Sequence, residues 1–323
     1  MDMEGLHSFI TVAREKSISK AAQILHLTQP TLSSRLRKLE EGLGVKLLYR
    51  SWDGIKLTNE GRFFLSYSVQ LLQELEEAAT LLKVHGDPDG GPIAAVTSDQ
   101  RLHIGVETFF NPAFLEAIIQ VIREVSPNLE CHFVTKSSET LCNLTEYEGL
   151  HITVHFDSRE CPGSISLPAI EDDLVLLYPL SGYPEIHEDL SNVKLLEHRP
   201  FILYESSPLL RYREVTERIL MNMFGSVPRS YHIVSDTQTM TAILESGFGY
   251  TFTTVSSILH LLEKPLPFNL ILMKTDYISK LNIQVSYSTA ASAMHHPIEK
   301  IAGQIQKALQ NKYSSLHTKL SGS

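Results

Sequence analysis

The stretch from Ser17 to Gly61, SISKAAQILHLTQPTLSSRLRKLEEGLGVKLLYRSWDGIKLTNEG, constrains the fold more tightly than any other part of the chain. Its spacing predicts two short helices joined by a tight turn, then a basic hairpin. Ser19 is placed to cap the first helix, and Ala21, Ala22, Ile24 and Leu25 supply a small apolar packing surface. After a turn through His26 and Leu27, Thr28 caps the second helix. Gln29 and Pro30 stand in its first turn, where a missing N–H costs nothing. Leu32, Leu36, Leu39 and Leu43 follow at steps of four, three and four. At about 100° per residue they form one narrow apolar face.

Pro30, Ser34, Arg37, Lys38 and Glu41 fall opposite that face, with Thr31 and Ser33 on its flanks. Short polar side chains in a first turn let a backbone approach base edges in a major groove, and the basic residues behind them reach phosphates. The candidate contacts to double-stranded DNA are Ser19, Thr28, Gln29, Pro30, Thr31, Ser33, Ser34, Arg35, Arg37 and Lys38. Arg50 joins them from the hairpin. The plainer alternative is a helical hairpin with a solvated, charged face.

A longer pattern bears on that choice. Phe9, the Ser17-Ile18-Ser19 turn, Ala21-Ala22, Leu25, Gln29-Pro30, Ser33, Leu39-Glu40, Gly44, Leu47, Arg50, Leu57-Thr58 and Gly61 stand in one order and spacing. Over roughly residues 3 to 62 this resembles the N-terminal domain of LysR-type transcriptional regulators. Ser34 stands where that family usually has Arg, and Leu48 where it usually has Phe. The resemblance implies a winged helix-turn-helix head, a dimerising linker helix, and an α/β effector domain of two lobes similar to periplasmic solute-binding proteins. It further implies dimers that pair into tetramers, control by a small molecule, and RNA polymerase as a further partner.

The charge balance fits such a division of labour. The 323-residue chain carries a formal charge of −9, yet residues 1–62 hold ten Lys/Arg against seven Asp/Glu. A mildly basic head on an acidic body argues against unspecific coating of nucleic acid. No apolar run approaches the ~20 residues of a membrane span, and no export signal is evident, so a cytoplasmic protein is expected. Cys131, Cys142 and Cys161 are isolated in sequence, with no C-x-x-C pair, and read as reduced thiols, with a redox-sensing pair the alternative that the resemblance allows.

Taken in order, residues 3–15 form a first amphipathic helix and Val45 to Leu57 a two-stranded wing with its tip at Ser51-Trp52-Asp53-Gly54. The winged head is expected over 1–62 and the linker helix over 58–85. In that helix Phe64, Ser68, Leu71, Leu75, Ala78 and Leu82 repeat like a coiled-coil seam. A Gly/Pro/Asp-rich hinge follows at 86–100. From residue 101 to 313, strands alternate with helices, which indicates an α/β domain. Lobe I is expected at 101–165 plus 275–313, and lobe II at 166–274. The last helix is expected to end near Tyr313, leaving 314–323 as a disordered tail.

The pattern does not indicate catalytic chemistry. No phosphate loop, G-x-G-x-x-G or G-x-S-x-G occurs. His151 and His155 would lie about 13 Å apart along a strand, too far to share an ion. No enzyme, metal or cofactor is expected. In hinged α/β domains ligands sit beyond the carboxyl ends of strands, where helix N-termini offer free N–H groups. That reasoning selects Thr108, Phe109, Asn111, Ser137, Ser138, Ser206, Asp236 and Thr237 for a small polar effector bearing a carboxylate. Simple helix capping would explain the hydroxyls equally. Two other functions remain open: a ligand-handling α/β module with a DNA tether, and a constitutive DNA binder with an empty cleft.

Overall fold

The computed structural model describes residues 2–84, 101–109, 112–157, 160–204, 209–262, 265–273, 281–289 and 297–321. The expected hinge at 86–100, together with Asn111 and Ser206, lies outside them. Two compact units emerge, Met1–Ser98 and Asp99–Ser323.

In the first unit, helices α1 (Met3–Glu15), α2 (Ile18–Ile24) and α3 (Gln29–Leu43) precede a hairpin of β1 (Leu48–Ser51) and β2 (Gly54–Leu57), then α4 (Asn59–Val84). Their core gathers Leu6, Phe9, Val12, Ala21, Ala22, Leu32, Leu36, Leu39, Leu47 and Leu72. Ala21 and Ala22 are buried side chains small enough to let α2 come close to its neighbours. Asp2, Ser17 and Thr28 cap the three helices through their side-chain oxygens, and Gly44 ends α3 in the left-handed region at φ 71°. The cap of α2 is therefore Ser17, not Ser19. The helix begins earlier because Ser17 is extended and accepts the Lys20 N–H at 3.3 Å, which leaves Ser19 exposed in the first turn.

α4 divides its apolar residues differently from the expected seam. Phe64 packs into the head, and Ser68 is buried there beside Leu72. The outward row is instead Phe63, Tyr67, Leu71 and Leu75, all exposed. The expected seam straddles two faces because its early members belong to the head's own core.

The second unit is built on two sheets. β3 (Leu102–Glu107), α5 (Pro112–Val125), β4 (Cys131–Lys136), α6 (Ser138–Glu146), β5 (Ile152–Phe156) and β6 (Ser164–Asp172) come first. Next are β7 (Leu174–Pro179), β8 (Phe201–Tyr204), α7 (Leu209–Phe224), β9 (Tyr231–Val234), α8 (Thr237–Glu245), β10 (Thr251–Thr254) and α9 (Val255–Ile258). β11 (Phe268–Leu272), β12 (Leu281–Ser288) and α10 (Ile298–Ser321) complete the unit. The larger sheet has the order β4-β3-β5-β12-β6, with β3 parallel to both neighbours and β12 antiparallel to both of its own. The smaller sheet, β10-β7-β11, is antiparallel, and the parallel pair β8-β9 joins it through a bridge from Phe201 to Tyr250.

Two expectations are corrected here. The lobe boundary at 165/166 falls inside β6, which pairs with β12 as far as Asp172, so the crossover lies at Asp173. Pro168 cannot donate to a ladder, and β6 accommodates it as the edge strand, with a register shift on β12 between Ile283 and Gln284. The tail is likewise helical to Ser321, because Leu316 is buried and Leu320 packs on the same core. His317 Nε2 also lies 2.8 Å from Asp173 Oδ2, and the Tyr313 hydroxyl accepts the Asp173 N–H at 3.0 Å. α10 thus pins the crossover from outside.

Candidate nucleic-acid interface and effector cleft

In the first unit, the α3 residues Gln29, Pro30, Thr31, Ser34, Arg37 and Lys38 are exposed, as is Thr28, and Ser33 is half-buried. Thr28 Oγ1 is engaged in capping, accepting the Thr31 N–H at 3.3 Å. Arg35 turns away from this face and pairs with Glu4 of α1 at 2.6 Å. Its place on the flank of α3 explains why it belongs to helix packing.

A groove separates α3 from the wing, lined by Ser33, Arg37, Glu40, Lys46, Tyr49 and Arg50 among others. Glu40 fixes its width. One carboxylate oxygen accepts the N–H groups of Leu47 and Leu48 at 2.9 and 3.2 Å, and the other accepts Lys46 Nζ at 2.6 Å. Partial burial opposes ionisation of Glu40, but the bonds from Lys46, Leu47 and Leu48 outweigh it and hold the group below its ordinary value. Lys46 and Lys56 are paired with Glu40 and Asp53, while among the described residues Arg37, Lys38 and Arg50 have no carboxylate partner. Trp52 stands 94% exposed at the wing tip. Its place in the sequence marks it only as a turn residue, although an indole in a two-residue hairpin tip has nothing in its own hairpin to pack against.

In the second unit a cleft of about 650 Å³, open to solvent, lies where the two sheets meet. Phe109, Phe156 and Leu281 of the larger-sheet side face Phe201, Tyr204, Phe252 and Thr253 of the other. Phe109 and Tyr204 meet edge to face with centroids 4.9 Å apart. Phe156 and Tyr204 are the last residues of β5 and β8, but Phe201, Ile202 and Leu203 line the cleft as well, so it runs along β8 and not only beyond its carboxyl end.

Its lining differs from the polar site expected. Of the proposed effector contacts among the described residues, Phe109 alone lines it. Thr237 stands one shell back, 3.5 Å from the Tyr204 hydroxyl, and Thr108 is exposed. Ser137 and Asp236 are occupied as N-caps of α6 and α8. Ser138 is buried and donates to Glu107 Oε2, while its oxygen accepts the Phe156 N–H at 3.0 Å. Burial pushes Glu107 up to about 7, against the lowering effect of Ser138. The signal that could have found this lining is aromatic: Phe or Tyr recurs at the ends of short strands.

Residues 3–62 match the model of the bacterial regulatory helix-turn-helix protein, lysR family, and residues 97–267 match that of the LysR substrate binding domain. The chain belongs to the LysR family. It is similar to the HTH-type transcriptional regulator BsdA of Bacillus subtilis, 28% identical over 80% of this chain and 85% of that protein. BenM of Acinetobacter baylyi is 27% identical over 80% and 81%. Among solved structures, full-length BenM gives a TM-score of 0.50 at 19% identity, covering 98% of this chain and 97% of that one. A Corynebacterium glutamicum OxyR C206 mutant gives 0.51 at 21%, covering 99% and 94%. The protein is a DNA-binding transcriptional regulator with a small-molecule effector domain, in a family of regulators and not of enzymes. No helix among the described residues is long and apolar enough to cross a membrane.

Proposed function

We propose that α3 reads base edges in a major groove from its first two turns, while Arg37, Lys38 and Arg50 hold the phosphates on either side. The observation that carries this reading is the groove between α3 and the wing, lined by Arg37 and Arg50, which have no carboxylate partner among the described residues. Gln29 is the base-reading side chain, since a carboxamide pairs in two directions with adenine. Ser19, Thr31 and Ser34 stand near enough on the same exposed side to contact backbone or bases.

The effector binds in the cleft between the lobes and favours one lobe arrangement over another, since equal affinity would shift nothing. With no charged side chain among its described lining residues, the cleft favours a ring-bearing, largely apolar molecule over a carboxylate. A screen of small metabolites by thermal shift identifies it, because a ligand at 100 times its Kd adds about 2.7 kcal/mol. Once it is in hand, Phe109→Ala should weaken its binding by about 1–2 kcal/mol and leave effector-free DNA affinity unchanged. Unaltered effector affinity would place the binding site elsewhere.

The row Phe63, Tyr67, Leu71 and Leu75 supports dimerisation through α4, and dimers then pair into tetramers in the cytoplasm, with RNA polymerase as the downstream partner. Asp at both Leu71 and Leu75 would bury charge against an apolar partner. Sedimentation should then report smaller particles and DNA binding should weaken. Unchanged assembly of a folded variant would exclude this face.

A further inference from the structure

Cys142 and Cys161, 19 residues apart in sequence, have Cα atoms 5.0 Å apart and are joined as a disulfide. This corrects the expectation of isolated reduced thiols: Cys161, shortly before β6, is bonded to Cys142 of α6. His155 of β5 completes the cluster. Its Nε2 lies 3.7 Å from Cys161 Sγ, and its Nδ1 lies 4.0 Å from Cys142 Sγ. All three side chains are buried, with Cys161 at 7% exposure and Cys142 at 0%.

We propose that Cys142 and Cys161 are a reversible, peroxide-oxidised thiol pair, with Cys161 the attacking thiol and His155 its proton acceptor. The tautomer of His155 is dictated by its surroundings. Nδ1 faces the Phe156 carbonyl at 2.8 Å, which can only accept, so Nδ1 carries the proton and Nε2 the lone pair. Ser286 Oγ is 2.8 Å from Nε2 and 2.7 Å from Ser166 Oγ. When Ser286 donates to Ser166, Nε2 is free to take the Cys161 proton, and the resulting Nε2–H donates to Ser286. Burial lowers the histidine below its ordinary value and so keeps it neutral beforehand.

The chemistry closes on itself. The Cys161 thiolate attacks one oxygen of a hydroperoxide, the O–O bond breaks, and the departing hydroxide takes the proton held by His155. Cys142 sulfur then attacks the sulfur of the Cys161 sulfenic acid. The S–O bond breaks, and hydroxide leaves with the Cys142 proton as a second water. Two thiols lose two electrons and one hydrogen peroxide becomes two waters. A thiol reductant reverses the bond by exchange. In a cytoplasmic protein such a bond is transient by nature. The bridge ties α6 to the β5–β6 connection, adding a covalent input to the effector unit.

The test needs only the reduced full-length chain, its thiols counted after denaturation, and hydrogen peroxide. Three thiols should fall to one, the mass should drop by two hydrogens, and digestion should yield a peptide pair joining Cys142 to Cys161. Dithiothreitol should restore all three. Cys142→Ser should stop at a sulfenic acid on Cys161 that dimedone traps, and Cys161→Ser should give none. His155→Gln should slow oxidation by about tenfold or more and flatten its pH profile. Three thiols surviving peroxide would overturn the proposal. So would a bond that dithiothreitol cannot reduce, a zinc ion removable by chelator that protects both sulfurs, or dimedone on Cys142 in place of Cys161. An unchanged rate in His155→Gln would remove the histidine's role.

Discussion

Replacing Asp172 with Asn should leave thermal stability unchanged near about pH 4 and raise the melting temperature of the effector unit by several degrees at about pH 8. Asp172 is fully buried at the end of β6, and burial pushes its carboxyl from 3.8 up to about 7, against the lowering effect of Ser256, Thr254 and Tyr313. The folded chain therefore holds a proton that the unfolded chain releases from about pH 4 upward. Stability is complete below the unfolded value and is lost as pH rises through the folded one. A shift of this size corresponds to on the order of 4 kcal/mol, and 1 kcal/mol moves the melting temperature of a domain this large by about 2–4 °C. Asn keeps the oxygen that accepts the Ser256 N–H at 3.1 Å and cannot ionise. Glu107→Gln should behave alike, over a window from its ordinary 4.5 to about 7. Exposed Asp189 and Asp236 are held below their ordinary value by hydrogen bonds and act in the opposite sense, so the comparison is each variant against wild type at each pH. An equal shift at both pH values would assign the effect to packing.

Gly61→Ala should unfold the junction between wing and linker helix and abolish DNA binding. A Cβ at Gly61 would overlap the Leu47 carbonyl oxygen, and it would also stand 3.1 Å from Leu57 Cδ2. The oxygen is backbone, and it already accepts the Thr58 N–H at 3.0 Å, so it cannot move without breaking the start of α4. Thr58 also caps that helix, accepting the Gly61 N–H at 2.9 Å. Overpacking of this kind costs about 1–3 kcal/mol and more when backbone must shift. Circular dichroism melting of the variant should show early loss of helix; a wild-type melt would mean that the wing moves freely against α4.

Gly61 also marks what the sequence made legible. In the head, contacts are short-range: leucines at steps of three and four, hydroxyl caps and a two-residue hairpin tip state the helices, the turn and the wing directly. Even there, Ser17 and Ser19 compete for one cap, and only backbone geometry separates them. The end of α10 was within reach, because Tyr313, Leu316 and Leu320 continue the spacing of Ile301, Ile305 and Leu309 past the polar Ser314-Ser315 pair. β6 was obscured by Pro168, whose restriction to edges matters only once a sheet has an edge. The cleft and the cysteine pair depend on contacts between distant segments. Ser137 and Asp236 announce helix starts, and helix capping occupies them; Cys142 and Cys161 become neighbours only after β5 and α6 pack.

The reading head bears the central claim, and a single binding measurement addresses it. Duplexes selected by the purified chain from a random pool supply a cognate site, and affinity is then measured for wild type and Gln29→Ala on that site and on random DNA. Gln29→Ala should lose about 1–3 kcal/mol on the cognate site, confined to one base position, with binding to random DNA unchanged. An equal loss on both duplexes would contradict base reading by α3.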